Sequence, residues 1–498
     1  MKKMIILESG TFVRNYLDTG VFNLILNGDY EIVVIDAHNA DKKRYGSNMH
    51  ISFIECQYVS VIRYINQLNF DVGIVKNLNK SSSFRYRYNV TASQAISFKT
   101  SFSNHRIVSS SSYKKLIKKF SIPYAGFLLV NAYRVSRFFK FCSKIPYKAL
   151  LHVLSLPYIY SSFQGFRKLI APCTVLGSAI YRFKPDLVIY PSSAYSIVGE
   201  DILRLSKKSR VFKTLFLIDN WDNLSSKSVF EDKPTYLGVW GEQSKEHAIR
   251  IQGISHDKIH ILGTPRFLVY ENFKYKNKEP SSPYEFPYIL FLGMGGLTYD
   301  EIGALKKVAY LLLENNKLFP KGCKVIYRPH PYGTGMVMQD EFSQLSNDNV
   351  ILDKQVEEHY YSDIYYKDRN FQPNLDYYPS LLSCAQIVVG GPTTMIMEAL
   401  LLKKNVVLLA YDDGFEVNLK KQFRSLEHFK GLKNIPSLFL VNDIDDMRTA
   451  MLAAHCVEWN EDSLKVIENK VSYYIFSNLS NGTSYIDRLG ECISDIEK

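Results

Sequence analysis

VIYRPHPYGTG, Val325–Gly335, is where this chain first shows residues placed for chemistry. Two prolines flank His330 and exclude both a helix interior and a central strand. The pattern predicts a strand that ends near Arg328 and a rigid loop with His330 at its tip. A second stretch, QIVVGGPTTMIMEALLLKKNVVLL (Gln386–Leu409), says what such a histidine would face. Its strand ends in Gly390 and Gly391. Pro392, Thr393 and Thr394 are residues that open helices. The free N–H groups and positive dipole end of that helix make an anion site, and the paired glycines leave room for a phosphate. Glu398 follows Thr394 by one turn on the same face, where a carboxylate accepts hydrogen bonds from ribose hydroxyls. GMGGL, with Gly293, Gly295 and Gly296, is a further glycine-rich loop directly after a strand. The expectation is a nucleotide site built from Gly293, Gly295, Gly296, Arg328, His330, Gly391, Pro392, Thr393, Thr394 and Glu398. The plainer alternatives are an ordinary strand-to-helix turn, a solvated Glu398 and an Arg328 paired with a neighbouring acid.

Group transfer from a nucleotide needs the leaving-group charge neutralised and a base for the attacking hydroxyl. The helix dipole and His330 are candidates for the first task. Asp222 and Glu8 are candidates for the second, because each follows an apolar strand of the N-terminal half. Asp219 and Asp222 also fit a local loop-capping role. Arg266, in GTPRF, either contacts a donor phosphate or braces the segment that follows. No acidic pair has a metal-site context: Asp443, Asp445 and Asp446 read as a helix start. Activity without a divalent metal or other cofactor is therefore expected. No GxSxG elbow supports a serine hydrolase.

The elements that must position these residues alternate. MIIL, EIVVI, LVIY, VFKTLFLI, YLGV and IHI read as buried strands of a first half. TFVRNYLDTGVFNLILNG, between the first two, has helical spacing. Tyr270–Tyr288 is rich in charge, Pro and Ser and reads as a linker. A second series follows: YILFLGMGG, KVIY, NVIL, QIVVGG, NVVLL and LFLV. Two α/β series joined by a linker predict two Rossmann-like domains facing across a cleft, over residues 1–275 and 286–475, with a helical tail at 476–498. A length of 498 residues likewise predicts more than one core.

Hydrophobic residues make up 46% of the chain and charged residues 22%, as in soluble globular proteins. The seven cysteines are far apart in sequence and form no CxxC, which argues against a disulfide framework or zinc site and for a reducing compartment. MKKMIILESG is too short for a signal-peptide core, and no apolar run is long enough to span a bilayer. The net charge of +12 is unevenly spread. Val72–Pro185 holds nineteen Lys and Arg and no Asp or Glu; the remainder carries 42 basic and 49 acidic residues. This window reads as a basic helical insertion, about 72–185, in the first domain. Its cations interleave with bulky apolar residues, as in SSYKKLIKKF and YRVSRFFKF. That pattern fits an anionic membrane surface or an anionic acceptor, with Lys114, Lys115, Lys118, Lys119, Arg134, Arg137 and Lys140 as the contacts. Alternatively the insertion packs on its own domain with solvated cations. No nucleic-acid motif accompanies the charge.

RPHP, followed by a strand and GGPTT-x3-Glu-Ala-Leu, resembles the nucleotide-binding half of GT-B-fold glycosyltransferases. The nearest likeness is to bacterial capsule and lipopolysaccharide transferases and to the CDP-glycerol glycerophosphotransferase type. Asp219–Phe267 and LESGTFVRNYL fit the same group, so the resemblance covers roughly residues 1–40 and 185–410. It implies a nucleotide-activated donor in the second domain and a glycan or lipid-linked acceptor in the first. It also implies a cytoplasmic enzyme, peripheral at the inner face of the plasma membrane. GGPTT stands where the glycerophosphotransferases carry a serine-rich turn, which weakens the polyol-phosphate reading. A polyol-phosphate transferase, a nucleotide-sugar epimerase and a non-catalytic polysaccharide assembly protein are the alternatives.

Overall fold

The computed structural model describes the chain apart from residues 9, 23–28, 38, 59, 91–146, 171, 210, 276–280, 295–299, 316, 331–341, 343–348, 361–373, 415–417 and 477–481. Short runs of β-branched and aromatic residues form two wholly parallel sheets. The first contains β1 (Lys3–Leu7), β2 (Tyr30–Ile35), β3 (Ile51–Ile54), β4 (Leu187–Ser192), β5 (Lys213–Ile218), β6 (Tyr236–Val239) and β7 (Ile259–Ile261). Its order is β3-β2-β1-β4-β5-β6-β7. The second contains β8 (Tyr288–Leu292), β9 (Lys324–Arg328), β10 (Val350–Leu352), β11 (Val388–Gly390), β12 (Val406–Leu409) and β13 (Leu438–Val441), in the order β10-β9-β8-β11-β12-β13. Each sheet reverses its winding beside its first strand, between β1 and β4 and between β8 and β11. That is the Rossmann-like order, and such reversals are where open α/β sheets bind ligands, outside the strands' carboxyl ends. The two-domain α/β architecture expected from the sequence is present. Edge strand β3 carries no element signal in the sequence, because four half-buried residues show too little alternation.

Apolar clusters cover both faces of each sheet. One joins the halves: Trp221, Trp240, Phe267 and Tyr270 pack with the helices and strands around β11. The segment expected as a linker starts inside the helix Leu268–Tyr275. The terminal helix Tyr485–Glu497 is not a loose tail. It returns to the first sheet, where Tyr485, Leu489, Cys492, Ile493 and Ile496 pack against Ile5, Leu7 and Leu215. Lys3 pairs with Glu497 at 2.9 Å, and Lys213 donates to the Ile496 carbonyl at 2.8 Å.

The described part of the insertion is helical: Ser60–Lys76, Tyr147–Ser155, Pro157–Leu169 and Thr174–Phe183. Ile65, Leu68, Val72, Leu150, Leu154 and Phe163 give it a core of its own. Arg167, one of its cations, is buried and paired with Glu200 rather than solvated. Lys114, Lys115, Lys118, Lys119, Arg134, Arg137 and Lys140 lie outside the described residues. The fold also corrects the picture of scattered thiols. Cys56 follows β3 and Cys173 precedes the helix Thr174–Phe183, and their sulfurs stand 3.2 Å apart as free thiols. Spacing along the chain could not show this, because 117 positions separate them.

Candidate functional site

The carboxyl ends of the two sheets meet. Asn220, just after β5, has its side-chain oxygen 3.4 Å from the Thr394 hydroxyl, which begins the helix after β11. Arg266, after β7, forms an ion pair with Glu398 on that same helix. A second contact lies further along the interface. The Glu427 carboxylate accepts from the Ser82 N–H at 2.9 Å, the Ser82 hydroxyl at 2.6 Å and Arg250 at 2.7 Å. Burial alone would raise the Glu427 pKa; bonds from Ser82 and Lys430 hold it down at about 2.

In the second domain Thr393 caps the helix Thr394–Leu401, its hydroxyl accepting from the Met395 N–H at 3.0 Å. Pro392 precedes it in the turn after β11. The helix start is where the sequence placed it, with its N–H groups turned to the cleft. The glycines serve a different purpose from the expected one. A Cβ at Gly390 would stand 2.8 Å from the Leu292 carbonyl, and one at Gly391 would stand 2.2 Å from the Met294 sulfur. A Cβ at Gly293 would meet Glu301 at 2.4 Å and the Pro329 Cα at 2.9 Å. The space on their side-chain faces is thus filled by the protein. They let β8, β9 and β11 end in contact. Gly295 and Gly296 lie outside the described residues.

Two charged residues expected at the nucleotide are committed elsewhere. Arg328 is buried and bonds Asp353 at 2.6 Å, Gln355 at 2.8 Å and the Tyr378 hydroxyl at 3.0 Å. It closes the end of β9 from inside, the plain pairing that the sequence left open. Glu398 is 0% exposed and has both oxygens engaged, one by Arg266 and the other by the Tyr270 hydroxyl. Its carboxylate therefore locks the chain after β7 to the helix after β11 and is not presented to a ribose. Arg266 takes the bracing role, although it still lies against the cleft beside His330. His330 does follow the end of β9, two residues past Arg328. Burial, then the charge of Arg266, lowers its pKa to about 4. The imidazole is neutral at physiological pH, so it can donate one hydrogen bond but brings no full charge to a leaving group.

The first domain supplies what the second lacks. After β1 the chain makes a short helical turn and then a π-helical turn, Val13–Asp18, a form found mostly at functional sites. This turn points Arg14 and Asn15 at the cleft. The Asn15 amide donates to Asp219 at 3.1 Å and accepts from the Arg14 Nε at 3.1 Å. Arg14 feels the charges of Arg266, Asp219 and Glu398, which places these groups of both domains together. Asp219 is raised by burial; Arg266, the Asn15 bond and Arg14 pull the other way. Glu8, at the end of β1, accepts the Ser196 hydroxyl. Burial raises its pKa, bonds from Ser196 and Tyr190 oppose this, and the charge of Asp219 adds to it. Asp222 lies within reach of the charges of Arg87, Lys227 and His428, and also of Asp219. It precedes the short helix Asn223–Ser226 with no capping bond from its own side chain. Among the predicted site residues, then, Glu8, Arg266, His330, Thr393 and Thr394 converge. Arg14, Asn15, Asp219, Ser196 and Glu301 are added by the structure. Glu301 holds the glycine loop from below, accepting from the Met294 N–H at 2.8 Å and the Tyr327 hydroxyl at 2.5 Å. The one sequence signal for Arg14 and Asn15 was LESGTFVRNYL, which places them six and seven residues past Glu8.

No protein-family model matches the sequence, and no curated protein matches it. Solved structures align over nearly the whole chain. A UDP-GlcNAc 2-epimerase from Methanocaldococcus jannaschii is 12% identical over 95% of this chain and 98% of its own, with a TM-score of 0.47. MurG from Acinetobacter baumannii is 8% identical over 99% and 100%, with a TM-score of 0.44. The wall teichoic acid polymerase TagF is 9% identical over 100% and 89%, with a TM-score of 0.45. Likenesses of this size assign no activity.

Proposed function

We propose that this protein is a glycosyltransferase that moves a sugar from a nucleotide-activated donor to a lipid-linked or surface-glycan acceptor. One observation carries this reading. Arg14, Arg266 and His330, from three separate elements, converge with the N-terminus of the helix Thr394–Leu401 where the carboxyl ends of two Rossmann-like sheets meet. A donor pyrophosphate is the anion such a set suits: the Arg14 guanidinium provides charge, Arg266 is braced beside it by Glu398, and the imidazole and helix N–H groups provide hydrogen bonds. They supply leaving-group stabilisation from the protein itself, so transfer proceeds without a divalent metal; complete loss of turnover in chelator would overturn this part.

Glu8 is the base in this proposal. Its carboxyl is oriented by Ser196, and its raised pKa brings it nearer neutrality, where a carboxylate removes a hydroxyl proton more effectively. Asp222, attended by cations, has the weaker claim. The nearness of Glu8 and Asp219 favours one second reading, epimerisation of a nucleotide sugar, in which two carboxyl groups take and return a proton on the sugar. Product analysis separates the two readings, because an epimerase turns over without an acceptor.

The first test is a thermal-shift panel with UDP, GDP, CMP, CDP and TDP on wild type and Arg14→Ala. A ligand at 100 times its Kd stabilises by about 2.7 kcal/mol, a shift readily seen. One nucleotide should raise the wild-type midpoint and act far more weakly on the variant. No shift with any of them on folded protein sinks the donor-site reading.

A further inference from the structure

The described helices of the insertion carry an unusual outer face. Eight of the seventeen exposed large apolar side chains among the described residues lie within 147–183. The densest group is Val153, Leu156, Tyr158, Ile159, Phe166 and Leu169; Leu156 is 53% exposed, Tyr158 89% and Leu169 83%. The helix Pro157–Leu169 explains the pattern. Tyr160, Phe163, Gln164 and Arg167 recur at helical spacing and pack inward. Its exposed positions are Pro157, Tyr158, Ile159, Ser161, Ser162, Gly165, Phe166, Lys168 and Leu169. Lys168 is their only charge. A helix that faces bulk water ordinarily carries charges of both signs there, so this face is built for contact.

We infer that this face docks on the interfacial layer of a bilayer containing anionic lipid, with Leu156, Tyr158, Phe166 and Leu169 entering the headgroup region. Charge selects this occupant. The face belongs to a 114-residue window, Val72–Pro185, with nineteen Lys and Arg and no carboxylate of its own. A stretch of sequence so uniformly basic suits a surface of anionic headgroups, whereas a defined protein partner calls for paired opposite charges at fixed points. Tyrosine beside leucine at a polar boundary is the amphipathic mixture that interfacial segments use. Among the described residues no helix is long and apolar enough to cross a membrane, so the contact is a surface one. The helix also places the active cleft. Gln164, Arg167 and Lys168 line a crevice of about 40 Å³ that reaches Ser196, the residue bonded to Glu8. The docking surface itself does not depend on the donor-site reading.

The test is co-sedimentation with vesicles containing phosphatidylglycerol and with vesicles of phosphatidylcholine alone, using the full chain. It compares wild type with a Leu156→Ser, Tyr158→Ser, Leu169→Ser triple variant, whose fold is checked by circular dichroism. Wild type should bind the anionic vesicles, with binding weakened by salt, and the triple variant should bind at least about tenfold more weakly. Tyr158→Trp should add a blue-shifted emission on the same vesicles. Three outcomes overturn the inference. One is no wild-type binding to anionic vesicles. Another is unchanged binding by the triple variant, which would leave the contact to charge alone or show the face covered by residues 91–146. The third is a concentration-dependent dimer abolished by the three substitutions, which would make a second copy the occupant. Because the readout is vesicle binding without nucleotide, its failure is distinct from failure of the thermal-shift panel.

Discussion

The two domains run the same strand order to opposite chemical ends. At its carboxyl edge the first sheet presents carboxyl groups: Glu8 after β1, Asp36 after β2 and Asp219 after β5. The second presents backbone N–H groups, a neutral histidine and glycines packed too tightly for any side chain. On the proposed reading, one wall would act as proton acceptor and the other as anion receptor. The positive charge is not where the sequence led us to seek it. Arg14 and Arg266 come from the first domain and reach across, while the second domain's own Arg328 is spent inside its sheet. A donor held between the domains would therefore be gripped by both, and closure of the cleft would complete the site.

The comparison predicts a division of labour that substitutions can break. The largest effect should come from Glu8→Gln. Loss of a general base lowers turnover by about 10²–10⁴-fold, and nucleotide shifts should be unaltered. Unchanged turnover would move the base to Asp219 or Asp222. Next is Glu398→Ala, which strands Arg266 and the Tyr270 hydroxyl in the interface. Breaking a buried pair costs about 3–5 kcal/mol, and urea unfolding should show it. If stability holds and nucleotide binding disappears instead, Glu398 contacts the ligand and the assignment of walls is wrong.

Acid should act next, through histidines buried as neutral groups. His428 lies at the domain interface, where burial lowers its pKa from 6.5 to about 4; His330 falls to about 4 and His247 to about 3. Between pH 6.5 and 4 the unfolded chain holds more protons on these groups than the folded one, so stability is full above the window and falls with pH through it. His428→Gln should flatten that slope. A slope identical to wild type would show that His428 does not couple to folding. Glu427 adds its own loss lower down, from 4.5 towards 2. The smallest effect is expected at Gly390→Ala, where a methyl 2.8 Å from the Leu292 carbonyl forces β8 and β11 apart. Overpacking of this kind costs about 1–3 kcal/mol, and calorimetry should detect it.

Fold was legible because buried parallel strands are written locally, as short apolar runs between turns. Twelve of the thirteen strands announce themselves in this way, and β3 does not because it is short and half-buried at an edge. The helix start at Thr393 was legible for the same local reason. What each charge touches was not. Whether Glu398 meets a ribose or an arginine depends on where residue 266 arrives, a matter of tertiary placement across 132 positions. Arg14 was hidden for a related reason: no local spacing distinguishes a π-helical turn that aims it at Asp219 from an α-helical one that would not.

The return of the helix Tyr485–Glu497 to the first sheet bears on how the protein is made. The face of β1, β4 and β5 that this helix covers is synthesised before the second sheet, yet its apolar cover is synthesised after it. Until residues 485–497 are made, Ile5, Leu7 and Leu215 lack Leu489, Ile493 and Ile496, and Lys3 lacks Glu497. The first domain therefore cannot mature on the ribosome ahead of the second, although domains commonly fold in N-terminal order during synthesis. A nascent chain stalled before Tyr485 would show its second domain protease-resistant and its first still open. The carboxyl edge of the first sheet would then take its final shape only after the second sheet exists.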